Sequence, residues 1–185
     1  MMERLIVDVQ KALNADCYFA ALALALTFPD ICGKAEYPSE KTTVRYVRWY
    51  DEYVGQYEKA PIGEEDVEMP YLSGEVVYSL RNSLLHQGTP NINSGRIKSQ
   101  ANNISHFALK LEPRNRFDIY CDRGCHISSN FSDAVTCTYE VNVRRLCIIL
   151  YRCARGYYRE NKDKFNFFDC HIVEEKSDMS THLPL

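Results

Sequence analysis

The stretch from residue 71 to residue 88, "YLSGEVVYSLRNSLLHQG", predicts the helix that organises the fold. At 100° per residue, small and apolar side chains fall on one side of this helix. These are Ser73, Val77, Leu80 and Leu84. Gly88 follows the last periodic residue and Pro90 lies just beyond it, which is a conventional stop signal. We therefore expect a helix from about Tyr71 to Gln87 with one face in the core.

A second, polar stripe lies roughly opposite this core face and consists of Glu75, Tyr78, Asn82 and His86. Arg81 lies on the flank between the two. A solvated face is one explanation, because the helix dipole favours a protonated imidazole at a helix C-terminus. A catalytic site is the other. Arginine can bind two phosphate oxygens and stays charged, and histidine, with an ordinary pKa of about 6.5, suits proton transfer.

The composition indicates one soluble globular domain, with 45% hydrophobic and 25% charged residues among 185. The net charge of −3 argues against a protein that coats nucleic acid with its whole surface, so any site for a polyanion must be local. The apolar run "CYFAALALALTF", residues 17–28, is too short to cross about 30 Å of hydrocarbon and lacks a basic leader. It predicts a buried helix, and the protein is expected to be cytoplasmic with no membrane partner.

The remaining pattern predicts further helices. The first runs from about Glu3 to Thr27 and stops at Pro29. Residues 30–40 are then expected to form a connection, in which Gly33 is a helix-breaking residue. The next helix covers about residues 42–57. Its apolar face comprises Val47, Tyr50, Val54 and Tyr57, with Trp49 in the core or at an interface.

The C-terminal half predicts a β-hairpin and one long helix. "HFALKL" and "RFDIYC" alternate as two strands, giving an insertion at about residues 105–122. A helix from about Glu140 to Lys162 follows, and residues 169–185 form a flexible tail. The predicted fold is mainly α: a bundle of four or more helices in a single domain, residues 1–168, with the hairpin before the last long helix.

The last helix is amphipathic with a basic stripe. Its cationic members are Arg144, Arg145, Arg152, Arg155, Arg159 and Lys162, all within about 100° of one another. Its opposite face is formed by Val143, Leu146, Cys147, Leu150, Ala154 and Tyr157. The stripe is either a solvated face or a surface for an RNA backbone, whose binding would weaken steeply with salt.

Eight cysteines without an export signal predict free thiols rather than a disulfide framework, and several, such as Cys17, Cys147 and Cys153, fall in apolar helical stretches. The nearest approach to a metal motif is Cys121, Cys125 and His126. Structural zinc needs a fourth ligand, and the spacing of Cys137 does not recommend it. We expect no metal and no cofactor, with a zinc-stabilised interaction protein as an open alternative.

The motif "RNSLLH", residues 81–86, resembles the R-x4-H motif of the HEPN superfamily (higher eukaryotes and prokaryotes nucleotide-binding domain). The stretches "YFAALALALTFPDICGKAEYP" and "RYVRWYDEY" are also similar to uncharacterised bacterial HEPN-like proteins. The resemblance covers residues 5–88 well and the hairpin and last helix poorly.

The resemblance implies a helical bundle and a metal-independent endoribonuclease acting in toxin–antitoxin, phage-defence or related responses. Arg81, Asn82 and His86 would be the catalytic residues, with Glu75 and Tyr78 as possible support. A homodimer would join two motifs in one cleft, and attack by the 2′-OH would leave a 2′,3′-cyclic phosphate. An antitoxin or other defence protein is an implied partner. In one toxin branch a modified tyrosine lies two places after the histidine, where this chain has Gly88.

The alternative is a non-catalytic HEPN-like module that binds a nucleotide, RNA or a protein. In that case the two His86 side chains would not face a shared open cleft.

Overall fold

The computed structural model describes residues 1–57, 72–89, 104–110, 121–127 and 135–168. The fold is mainly α, a helical bundle, as predicted. Its helices are α1 (Met2–Asn14), α2 (Tyr18–Ala25), α3 (Phe28–Glu36), α4 (Thr42–Tyr53), α5 (Gly74–Gln87) and α6 (Val143–Glu160). The strands are β1 (Ile104–Lys110), β2 (Cys121–Ile127) and β3 (Val135–Asn142). Short 3₁₀ turns cover Gly55–Tyr57 and Lys162–Phe165.

The N-terminal segment forms two helices, so the prediction of one helix to Thr27 is wrong. The first is amphipathic and buries residues at three- and four-residue spacing, namely Met2, Ile6, Val9 and Leu13. Asp16 then adopts a left-handed backbone conformation, with φ of 56°, that aspartate tolerates better than most residues. This turn redirects the chain into α2, whose Ala21 and Ala25 are fully buried as expected for close packing.

Residues 30–40 were expected to be a connection, but most of them belong to α3. Pro29 stands in the first turn of this helix, where its missing N–H is not needed. Gly33 lies against α4: a Cβ there would be 2.7 Å from the carbonyl oxygen of Arg45. Proline and glycine therefore mark a helix start and a helix–helix contact, and α3 carries Asp30 into the interior.

The aromatic face of α4 is buried, with Tyr46, Trp49 and Tyr50 fully covered. This confirms the predicted core position of Trp49, while the side chain of Tyr57 lies outside the described residues. Helix α5 begins at Gly74 rather than near residue 71, because Ser73 caps it by accepting a hydrogen bond from the Val76 N–H.

Helix α5 ends as predicted, at Gly88. This glycine has a left-handed conformation with φ of 65°, which closes the helix through backbone bonds to Leu84 and Ser83. Of the predicted core face, Val77 and Leu80 are fully buried, whereas Leu84 is half-buried.

The strands form a three-stranded sheet in the order β1–β3–β2. An antiparallel pair does precede α6, but it consists of β2 and β3, and β1 pairs with β3 in parallel. The predicted strand at residues 106–111 corresponds to β1. Residues 111–120 lie outside the described residues, so its predicted pairing with residues 116–121 stays a prediction. The central strand is the β-branched run Val135–Asn142, part of which was predicted to be helix.

Helix α6 starts at Val143 rather than Glu140, because Asn142 caps it by accepting a hydrogen bond from the Arg145 N–H at 3.1 Å. Its predicted apolar face is confirmed, since all six residues are buried. The proposed tail, residues 169–185, lies outside the described residues.

One apolar stretch in the described part, Tyr18–Glu36, is long enough to cross a membrane by length and composition. It has 19 residues, a mean hydropathy of 1.2, and half of it is buried within the bundle. The chain also turns after Ala25, between α2 and α3. Buried helices of soluble proteins share this length and composition.

Candidate functional site

The motif arginine is held by an acid from another helix. Nη2 of Arg81 on α5 lies 2.7 Å from Oδ2 of Asp30 on α3. The two side chains are only 20% and 17% exposed, so the ion pair is largely shielded from water. Helix α3 thereby fixes one edge of the Arg81 guanidinium group.

The other edge of the guanidinium faces the remaining motif residues. Nη1 of Arg81 donates a hydrogen bond to Oδ1 of Asn82 at 2.9 Å and lies 3.5 Å from Nε2 of His86. His86 is exposed in the last turn of α5. The structure therefore brings the three predicted catalytic residues into one cluster, with the imidazole at its open end.

Burial dominates the electrostatics of Asp30. It raises the pKa of this carboxyl, and the nearby charges of Arg81 and Arg45 offset only part of the rise. Oδ1 of Asp30 and Nε of Arg81 are both buried and have no hydrogen-bond partner among the described residues. The pair thus keeps unused hydrogen-bonding capacity close to the cluster.

The polar stripe of α5 is not a solvated face along its whole length. Tyr78 packs on Tyr46 of α4, with ring centroids 5.0 Å apart, and its hydroxyl accepts a hydrogen bond from Thr43 at 2.9 Å. Together with Glu75 and Asn82, Tyr78 lines a cleft of about 550 Å³ between α4 and α5. The described lining residues are Thr43, Val44, Val47, Arg48, Glu75, Tyr78, Ser79, Asn82, Ser83 and Gln87.

The basic stripe of α6 divides into structural and exposed members. Arg144 donates to the carbonyl of Leu13 at 2.8 Å and lies over the ring of Tyr18, which anchors α6 to the turn after α1. Arg155 donates to Gln10 at 3.3 Å. The side chains of Arg145, Arg152, Arg159 and Lys162 are exposed.

The stripe and the motif lie on helices with different neighbours. Helix α5 packs mainly on α4 and α2, whereas α6 packs on α1, α2 and α3. Within the described part of one chain, α6 is therefore not a main packing partner of α5. Its exposed arginines are not brought next to the motif by packing of these two helices.

The candidate metal residues lie on two strands. The backbone register places Cys125 opposite Cys137, and Cys121 opposite Val141. The side chains of these cysteines and of His126 lie outside the described part of the structure, so the zinc alternative stays a prediction. Among the described residues, no group of three or more potential ligands could hold a metal ion.

The thiols of the helices behave in two ways. Cys147 is buried, and burial raises its pKa to about 12, as expected for a small apolar side chain in the core. Cys17 is instead exposed, at the position before α2, because the chain turns there rather than continuing one helix.

Sequence reasoning did not assign Asp30 or the α4 side of the cleft to the site. The sequence does contain a signal for Asp30, because this acid lies beside a long apolar run. An acid that such a segment buries is usually paired with a cation. Its partner could not be identified, since Arg81 lies on a helix that was not known to contact residues 28–36.

The chain matches no family model, no curated protein and no solved structure.

Proposed function

We propose that this protein is a metal-independent endoribonuclease of the HEPN type. The observation that carries the proposal is the cluster of Arg81, Asn82 and His86, with the guanidinium 3.5 Å from the imidazole at an exposed helix end. A cationic fork beside a proton-transfer group is what cleavage of a phosphodiester without metal requires.

Each residue has a distinct role in this proposal. Arg81 binds the non-bridging oxygens and stabilises the charge that develops on them. His86 exchanges a proton with the attacking 2′-OH or with the leaving 5′-oxygen. Asn82 holds the guanidinium through its Oδ1. Asp30 is a positioning residue, because it fixes Arg81 through one oxygen while its other oxygen is buried.

A second copy of the chain completes the chemistry in this proposal. In-line cleavage needs one group to take a proton and another to give one, and each motif supplies a single histidine. A homodimer that joins two motifs would supply two histidines and two arginines. We place this reaction in the cytoplasm, with RNA as substrate and an antitoxin or defence protein as a regulatory partner.

The test is RNA cleavage by the purified full chain in the presence of EDTA. We expect single-stranded RNA to be cut to products with 2′,3′-cyclic phosphate ends, and His86→Ala to lower the rate by about 10²-fold or more. Asn14→Ala is a matched control, because Asn14 is likewise exposed in the last turn of a helix. Equal rates for the His86→Ala variant and the wild type would overturn the assignment.

Mixing the wild type with an inactive variant tests the composite site. In a heterodimer of the wild type and His86→Ala, a shared cleft would retain only one histidine. If both histidines serve one cleft, an excess of His86→Ala should lower the rate of a fixed amount of wild type, because wild-type chains are drawn into heterodimers. A rate that stays unchanged, although the chains exchange, would contradict a shared site.

A non-catalytic RNA- or nucleotide-binding module is the second candidate. It is favoured by the ion pair with Asp30, because a carboxylate beside Arg81 offsets the positive charge that would stabilise the transition state of cleavage. Its signature would be RNA binding that His86→Ala leaves unchanged, with no cleavage by the wild type.

A further inference from the structure

A cleft between α4 and α5 adjoins the motif cluster and is not used by the phosphate chemistry. Its volume of about 550 Å³ falls within the usual range for small-molecule sites, roughly 300–1,000 Å³. Asn82 belongs to both places: it lines the cleft, and its Oδ1 accepts the hydrogen bond from Arg81. A ligand in the cleft would therefore lie next to whatever Arg81 binds.

The cleft offers neutral hydrogen-bonding groups on apolar walls. Its hydroxyl and amide side chains are those of Thr43, Tyr78, Ser79, Asn82, Ser83 and Gln87. Val44 and Val47 supply apolar surface, and Tyr78 supplies an aromatic ring. Such a lining suits a flat heterocycle, whose faces pack on apolar and aromatic side chains while its edge exchanges hydrogen bonds with amides and hydroxyls.

The charges in the cleft disfavour a phosphate there. Its arginine, Arg48, is already bound by two carboxylates, Glu40 and Glu52, each at 2.9 Å. Glu75 adds a further carboxylate to the wall. The described residues of the cleft thus carry no excess positive charge. The positive charge of Arg81 lies beside the cleft instead, since Arg81 directly precedes Asn82 in the chain. Charge divides the region into an anion-binding end and a neutral compartment.

We infer that the cleft is a nucleobase subsite, which takes one base of the RNA strand while Arg81 and His86 hold a neighbouring phosphate. The inference rests on the proposed ribonuclease function for its substrate, and it adds that the enzyme binds a base of an unpaired strand. A paired base has its edge occupied by its partner, so the cleft selects single-stranded RNA.

Binding of free ribonucleosides tests the subsite without any cleavage. The full chain is titrated with adenosine, guanosine, cytidine and uridine at millimolar concentration, and binding is followed by NMR shifts of the α4 and α5 amides. We expect at least one nucleoside to bind. We expect Val44→Glu to weaken that binding by about tenfold or more, because it places an unpaired carboxylate in the neutral compartment.

Val7→Glu is the matched control. Val7 and Val44 are both exposed helical valines, at 40% and 50%, but Val7 does not line the cleft. Val7→Glu should therefore bind nucleosides as the wild type does. Both variants should keep the wild-type fold, since both side chains already face water.

The outcomes separate this inference from the proposed function. Cleavage of RNA by a protein that binds none of the four nucleosides would overturn the subsite and leave the ribonuclease in place. Nucleoside binding that Val44→Glu leaves unchanged would also overturn it, because the base would lie elsewhere. Binding that Val44→Glu abolishes, in a protein that cuts no RNA, would keep the base site and remove the ribonuclease.

Discussion

Arg81 is held from two sides, and the two sides have different consequences. Asp30 binds Nη2 in a largely buried ion pair, while Asn82 and His86 lie on the side of Nη1. Removing one member of a buried pair leaves the other charged group without compensation, which costs more than the pair itself contributes. Asp30 is therefore expected to affect both the stability of the fold and the orientation of the guanidinium.

Asp30→Ala removes both oxygens of the side chain. We expect the free energy of unfolding to fall by about 1–3 kcal/mol, because Arg81 loses its hydrogen-bond acceptor in a shielded position. Urea unfolding measures this change. Asp163→Ala is the control, since Asp163 is exposed, and it should stay within about 0.5 kcal/mol of the wild type. Equal losses for the two variants would show that the buried pair does not stabilise the fold.

Glycine allows helix α4 to approach both α3 and α5 closely. Gly33 lies against the Arg45 carbonyl and Gly74 against the Val47 backbone. A Cβ at residue 74 would be 2.5 Å from the Val47 oxygen, closer than side-chain carbons come to backbone. The N–H of Gly74 also donates to Asp51 of α4 at 2.7 Å, so this contact fixes the start of α5.

Two glycine-to-alanine variants test this role with opposite expected signs. Gly74→Ala should destabilise the protein by about 1–3 kcal/mol, because α5 must move away from α4. Gly156→Ala should stabilise it by about 0.5–1 kcal/mol, since that glycine is exposed inside α6 and a Cβ there meets nothing within 4 Å. Thermal and urea unfolding measure both. A stabilising Gly74→Ala would contradict the close contact.

The way in which each element packs explains which elements the sequence predicts well. The buried faces of α5 and α6 follow the 3.6-residue period, because each helix packs one stripe on the core. Helix α3 escapes prediction because Pro29 and Gly33 resemble breaks when their neighbours are unknown. The central position of β3 depends on pairing with β1, across a long sequence separation.

The candidate site is likewise predictable only in its local part. Arg81, Asn82 and His86 cluster because they lie within six residues of one helix, a spacing that the sequence displays directly. The contributions of Asp30 and Thr43 depend on how α3 and α4 pack against α5. No periodicity along α5 contains that information.

One acid joins α3 to the C-terminal end of α6. Glu36 accepts hydrogen bonds from the Tyr157 hydroxyl and from Lys164, each at 2.6 Å. Burial raises the pKa of Glu36, but the bonds from Lys164 and Tyr157 outweigh it, so the pKa lies below its ordinary value of 4.5. Asp30 has the opposite shift, because burial holds its pKa above 3.8.

These shifts determine the sign of the response to acid. A carboxyl with a lowered pKa contributes stability that is present above its unfolded pKa and lost as the pH falls through its folded pKa. Asp30 instead contributes stability below its unfolded pKa, which is lost as the pH rises through the folded value.

We expect Glu36→Gln to be less stable than the wild type at neutral pH and to lose less stability between pH 6 and pH 3. The two curves should therefore converge in acid. Urea midpoints across this range measure the effect, and Glu3→Gln, an exposed acid of α1, should run parallel to the wild type. Parallel curves for Glu36→Gln and the wild type would show that the Glu36 contacts between α3 and the C-terminal end of α6 do not stabilise the fold.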